Sequence, residues 1–194
     1  RSGEILESDI NWYHNVMSLL RHWFFVQTAA INPDARGVAF KDEVMGRLIR
    51  FVSSHEVGHS LGLPHNMGSS VSYPVDSLRS ATFTKKYGTA SSIMDYARFN
   101  YIAQPGDTGV ALMPNIGIYD KYSIKWGYKP ILNAESSKDE KATLDAWILE
   151  HAGDPMYRFG GQQSGVIDPS SQTEDLGDDA VKASSYGIAN LKRI

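Results

Sequence analysis

Residues 55 to 65 read His55-Glu56-Val57-Gly58-His59-Ser60-Leu61-Gly62-Leu63-Pro64-His65. Residues four apart on an α-helix sit about 40° apart around the axis and roughly 6 Å along it, so His55 and His59 can converge on one ion from one face. Gly62 can take a positive φ at no steric cost, and a sharp turn there brings His65 in from another direction as a third donor. Three neutral imidazoles with a fourth position left to water describe a catalytic Zn2+ site rather than a closed structural one. Glu56 lies about 100° around the helix from His55, beside the ion rather than on it. There it can take a proton from a zinc-bound water, whose pKa the metal lowers to about 7, and pass it to a leaving amine. Metal-assisted hydrolysis with a glutamate as base is the chemistry this spacing allows.

The pattern needs a rigid helix to carry it. Lys41 to Leu61 supplies one: Met45, Leu48, Val52, His55 and His59 recur at steps of three and four, so one face runs from core into two imidazoles. Gly62 and Pro64 end it, a glycine followed closely by a proline. A packed helix is predicted from His14 to Ala30, where Val16, Leu19, Leu20, Trp23 and Phe24 share a face and Pro33-Asp34 follows as the break. Shorter helices are predicted at Val75 to Tyr87, Ile118 to Trp126, Lys138 to His151 and Asp178 to Leu191, with Gly160 to Gly165 as a loop. Ile5 to Ile10 is the best strand candidate. The fold class is α+β, predominantly helical, with a long zinc-binding helix and few strands.

The chain has 194 residues, a net charge of −3, 42% hydrophobic residues and no cysteine. That balance excludes a disordered tail and a disulfide scaffold, and no apolar run approaches the ~20 residues of a membrane-spanning helix. Interspersed charges offer no polycation for nucleic acid or anionic lipid. Without cysteine, thiolate chemistry is excluded, while the compartment stays open. Residues 1–194 read as one domain. The opening Arg1-Ser2-Gly3-Glu4 and a close inside a helix suggest a fragment of a longer chain, and no pattern specifies an oligomeric state.

The zinc motif, together with Ser92-Ile93-Met94-Asp95-Tyr96 downstream, resembles the metzincin zinc endopeptidases, whose pattern is HExxHxxGxxH followed by a Met-containing turn. The resemblance implies a metzincin-like catalytic region that hydrolyses peptide bonds in a peptide or protein substrate, with Zn2+ on His55, His59 and His65 and Glu56 as base. It further implies Met94 as an apolar floor under the histidines and Tyr96 as a stabiliser of the transition state. Trp12-Tyr13-His14-Asn15, His65-Asn66-Met67 and Tyr119-Asp120-Lys121 are similar to large secreted bacterial zinc metalloproteases, which implies a periplasmic or extracellular location. The alternative is an inactive zinc-binding scaffold or protein-binding domain with a metzincin fold, usually marked by loss of a ligand or of the glutamate. A rival group takes its third ligand from a later glutamate; here the first glutamate beyond His59 is Glu135.

A metzincin domain places several strands ahead of the zinc helix, and one is visible here. Either the others precede Arg1 or the helix at His14 to Ala30 replaces part of the sheet. If Ile5 to Ile10 is the substrate-pairing edge, its free backbone groups would hold the peptide by strand addition. His14, His22 and His151 read as packing or surface residues, and Glu174, Asp175, Asp178 and Asp179 lack the ligand spacing of a calcium loop. Arg98 and Asn100 either line the pocket for the side chain after the cleaved bond or belong to a solvated loop.

Overall fold

The computed structural model describes residues 3–165 and 167–194; Arg1 and Ser2, where the opening of the chain was read, and Val166 lie outside them. Six α-helices follow in order: α1 (Asn15–Thr28), α2 (Asp42–Ser60), α3 (Ala81–Tyr87), α4 (Ile118–Tyr128), α5 (Ser137–Leu149) and α6 (Ala180–Leu191). Five lie where their apolar spacing predicts, to within two residues at the ends; α3 starts six residues later than the expected Val75, with a separate 3-10 turn at Ser77–Arg79 ahead of it.

The long helix α2 starts with Asp42 and Glu43 in its first turn, where carboxylates complement the helix dipole. It buries Val44, Leu48, Phe51, His55 and Gly58. The expected stripe is thus turned by about one residue: Met45 and Val52 are only half-buried flanks, and Phe51 and Gly58 face inward. Leu20 and Phe24 of α1 meet this face, and the ring of Phe99 packs edge-on against both Phe24 and Phe51, with centroids at 5.0 and 5.8 Å. Burying a Leu or Phe side chain contributes about 1.5–3 kcal/mol, so this cluster holds α2 in place. Tyr73, Val75, Leu78, Ile102, Leu176 and Ala183 form a second cluster beside it.

Ile5 to Ile10 is not a strand, and none occurs among the described residues. The segment is irregular and exposed throughout, with Leu6 at 87% exposure. Its apolar residues explain this: Ile5 and Leu6 are adjacent, so no single face alternates inward, and no neighbouring strand offers a ladder. A hydrogen bond from the Ser8 hydroxyl to that of Ser60, at 2.7 Å, ties the segment to the end of α2. The predominantly helical character is as expected, and beside α2 the chain forms an irregular buried layer: residues 88–104 are buried except for Tyr96, Arg98 and Tyr101, which are half-buried.

The turn after α2 is a Schellman motif. Gly62 has φ +85°, its N–H donates to the His59 carbonyl at 2.9 Å, and the Leu63 N–H donates to the Gly58 carbonyl at 3.0 Å. A methyl group at Gly62 would meet nothing within 4 Å, so the requirement for glycine is conformational and not spatial. Gly62→Ala is expected to destabilise the fold by about 1 kcal/mol, which lowers Tm by roughly 2–4 °C in a chain of this size. Thermal unfolding followed by circular dichroism measures it.

Candidate metal centre

His59 Nε2 lies 3.1 Å from His55 Nε2 and 3.1 Å from His65 Nε2. Tetrahedral donors at 2.0–2.1 Å from zinc stand about 3.3 Å apart, so both spacings about His59 match those of one coordination sphere, and all three atoms lie within 4.8 Å of one another. They are the one cluster of metal-binding side chains among the described residues.

The opposite ring nitrogens explain the convergence. His55 Nδ1 donates to the Ile93 carbonyl at 2.8 Å, His59 Nδ1 to the Leu63 carbonyl at 2.9 Å, and His65 Nδ1 to Gln162 Oε1 at 2.6 Å. All three partners accept only, so each Nδ1 carries the proton and each Nε2 presents a bare lone pair toward the other two. Three such lone pairs repel one another, and a cation between them removes the repulsion. His55 is 5% exposed, and burial lowers its pKa, with the neighbouring imidazoles adding to the shift and the Ile93 hydrogen bond opposing it. It therefore stays in the neutral, ligating form. The donor set fits Zn2+.

Each partner has a structural origin. The Leu63 carbonyl is delivered by the Schellman turn, and the Ile93 carbonyl by the downstream turn that carries Met94. Asp120, at the start of α4, accepts from Ser92 Oγ at 2.5 Å, the Ile93 N–H at 2.8 Å and the Gly117 N–H at 2.6 Å. Met94 is 1% exposed, and a Cβ on Gly58 would fall 2.3 Å from its sulfur. Gly58 is therefore required so that Met94 can lie directly under the helix between the two α2 histidines. Asn66 links its own N–H to the Met94 carbonyl and its side chain to the Arg158 carbonyl and the Gly160 N–H. The segment 158–162, which overlaps the loop expected at Gly160 to Gly165, thus backs the site and carries Gln162.

The Tyr96 ring stacks on His55 (centroids 5.5 Å, 25°) and touches His65 (4.5 Å). Its pKa is raised by burial, with the Glu56 and Glu174 charges adding and the Arg98 charge opposing. Glu56 is half-buried beside these rings. Arg98 sits over the rings of Trp23 and Tyr96, at 3.8 and 4.9 Å, and pairs with Glu174 at 2.6 Å. Asn100, by contrast, is buried, its amide donating to the Leu78 and Ala111 carbonyls, so it lines no pocket. The acidic residues near α6 act separately: Glu174 on Arg98, Asp175 on Ser70 Oγ, Asp178 on the Val75 N–H, and Asp179 as the cap of α6. His151 stacks on Tyr157 at 3.7 Å, His22 contacts Arg21, and His14 stands at the N-cap position of α1 without a side-chain capping bond.

Asp95 is 2% exposed; its Oδ2 accepts from Ser69 Oγ and the Ser70 N–H, while its Oδ1 has no partner. Burial pushes its carboxyl up to about 7, the Asp175 charge adding to the shift and the Ser69 and Ser70 hydrogen bonds opposing it. In an unfolded chain the group titrates near 3.9, so between about pH 4 and 7 the folded state holds a proton that the unfolded state has lost. Stability therefore falls as pH rises through that window, by at most about 1.4 kcal/mol per pH unit from this group, and levels off above it. Asp95→Asn is expected to remove that slope. Urea unfolding of both proteins in chelator at several pH values from 4 to 8 should show the variant gaining stability relative to the parent up to about pH 7 and no further.

A family model described as Met-zincin matches residues 37–194, and no curated protein and no solved structure matches the chain. The match begins just ahead of α2 and takes in the zinc motif, the Met94 turn and the Gln162 segment. The chain belongs to the Met-zincin family and carries its metzincin-type metalloprotease fold, for which zinc binding is implied.

Proposed function

We propose that the protein is a zinc-dependent endopeptidase. The observation that carries this reading is the set of three Nε2 lone pairs, each fixed by a hydrogen bond on the far side of its ring and all aimed at one point. His55, His59 and His65 hold Zn2+, which when bound supplies Lewis acidity toward a peptide carbonyl and acidifies water. Glu56, next to His55 on the same helix, accepts the proton of the attacking water and delivers it to the amine that leaves. Tyr96, packed against two of the imidazoles, steadies the negative charge that develops on the carbonyl oxygen. Met94 is the apolar floor that keeps the α2 histidines at their height. The substrate is a peptide or protein, and the location is periplasmic or extracellular, supported by the resemblance to secreted zinc metalloproteases. A scaffold without turnover would not need Glu56, and Glu56 is retained alongside all three histidines.

The test pairs metal content with turnover. Protein loaded with zinc should carry one ion per chain and cleave a quenched fluorescent peptide library. Glu56→Gln should keep the zinc and lower kcat/KM by about 10²–10⁴-fold, the usual contribution of a general base. Zinc-loaded protein that cleaves nothing, with Glu56→Gln indistinguishable from the parent, would overturn the reading in favour of a scaffold.

A further inference from the structure

On the side of α2 next to His55 lies a cavity of about 390 Å³ whose composition the proposed chemistry does not use. Phe51, Ile93 and Met113 give it an apolar floor, and Arg47, Arg50 and Lys121 stand around it. Elsewhere on the surface the cations are commonly neutralised: Arg79 by Asp107, Arg158 by Asp168, Lys182 by Asp76. Among the described residues no carboxylate comes within ion-pair distance of Arg47, Arg50 or Lys121. Three uncompensated positive charges converge on one concave, partly apolar space.

We propose that this cavity is a specificity subsite that receives an aspartate or glutamate side chain of an extended peptide, its methylenes on the apolar floor and its carboxylate among the three cations. Naming the peptide as substrate rests on the endopeptidase reading; the charge preference of the cavity does not. Its position favours a peptide occupant over a free anion. Phe51, which lines the cavity, is one helical turn, roughly 6 Å, before His55, so cavity and metal centre adjoin neighbouring turns of one helix, within the reach of one extended peptide at about 3.3 Å per residue. Ile93 belongs to both: it lines the cavity and its carbonyl orients His55. Arg47, Arg50 and Lys121 are exposed and can be replaced without opening the core.

The experiment reads binding apart from turnover. Glu56→Gln protein is titrated, by fluorescence anisotropy, into two labelled, C-terminally amidated decapeptides, one an Ala-Glu repeat and the other an Ala-Gln repeat; the amide removes the terminal carboxylate as a competitor for the cavity. The Ala-Glu peptide should bind at least about tenfold more tightly, as one well-placed charge interaction allows. The preference should vanish in Arg47→Ala/Arg50→Ala/Lys121→Ala, persist in Lys85→Ala/Lys86→Ala, and shift toward a basic Ala-Lys repeat in Arg47→Glu/Arg50→Glu. Equal affinities, no binding of either peptide, or a preference that survives the triple alanine substitution would each overturn the subsite. If the preference holds while zinc-loaded wild type cleaves no peptide, the subsite stands and the endopeptidase reading falls. If peptides are cleaved without a charge preference in binding, the reverse is true.

Discussion

A buried backbone without a sheet is the constraint on which this structure depends. Residues 88–104 run through the interior in irregular conformation, and each N–H and C=O there must find a partner or cost about 1–3 kcal/mol. In a metzincin core of several strands, ladders would supply those partners. Here side chains supply several of them: Asp120 takes the Ile93 N–H, Ser92 Oγ the Met94 N–H and Gln27 the Phe99 N–H, while Asn190 donates to the Tyr101 and Ala103 carbonyls. The metal centre grows out of the same requirement. The Ile93 carbonyl needs a donor and His55 Nδ1 needs an acceptor; one bond satisfies both and sets which nitrogen of His55 faces the ion.

That coupling makes packing and coordination a single problem. Met94 occupies the space that a side chain at position 58 would take, its carbonyl is held by the Asn66 N–H, and Asn66 in turn holds the segment from which Gln162 reaches His65. Each imidazole is thus oriented from a different part of the chain: the irregular layer for His55, the helix terminus for His59, the 158–162 segment for His65. Partners of this kind typically matter for metal affinity by a factor of about 10–100 each. A site assembled this way tolerates little movement of any one support.

What the sequence made legible follows from the range of each interaction. The helix, its glycine stop and the convergence of His55, His59 and His65 depend on contacts within ten residues, and spacing encodes them directly. The roles of Gly58 and Gln162 depend on contacts 36 and 97 residues away; nothing in HExGH says that its glycine faces a methionine sulfur, and a glutamine in a glycine-rich loop carries no signal at all. The apolar stripe of α2 missed its true face by one residue because Met45 and Val52 are flanks that the same period also fits. The strand at Ile5 to Ile10 failed because local apolar content does not create a partner to pair with.

The Arg98 contact shows how much effort the fold spends on one ring. Arg98 and Glu174 both hold positive φ, at 59° and 67°, which for side chains of this type costs roughly 1–2 kcal/mol each. Their ion pair leaves Glu174 about half exposed, and a pair of that kind contributes at most about 1 kcal/mol, too little to offset two strained residues. The remainder must come from the stacking of the guanidinium on Trp23 at 3.8 Å and on Tyr96 at 4.9 Å, worth about 0.5–2 kcal/mol per contact, and from the Glu174 N–H donating to the Tyr96 carbonyl at 3.2 Å. Trp23 and Glu174 thus hold Arg98, and Arg98 and the Glu174 N–H in turn hold Tyr96. Trp23 lies on α1, ahead of the residues that match the family model, so the chain outside that match fixes the tyrosine that stands over the histidines.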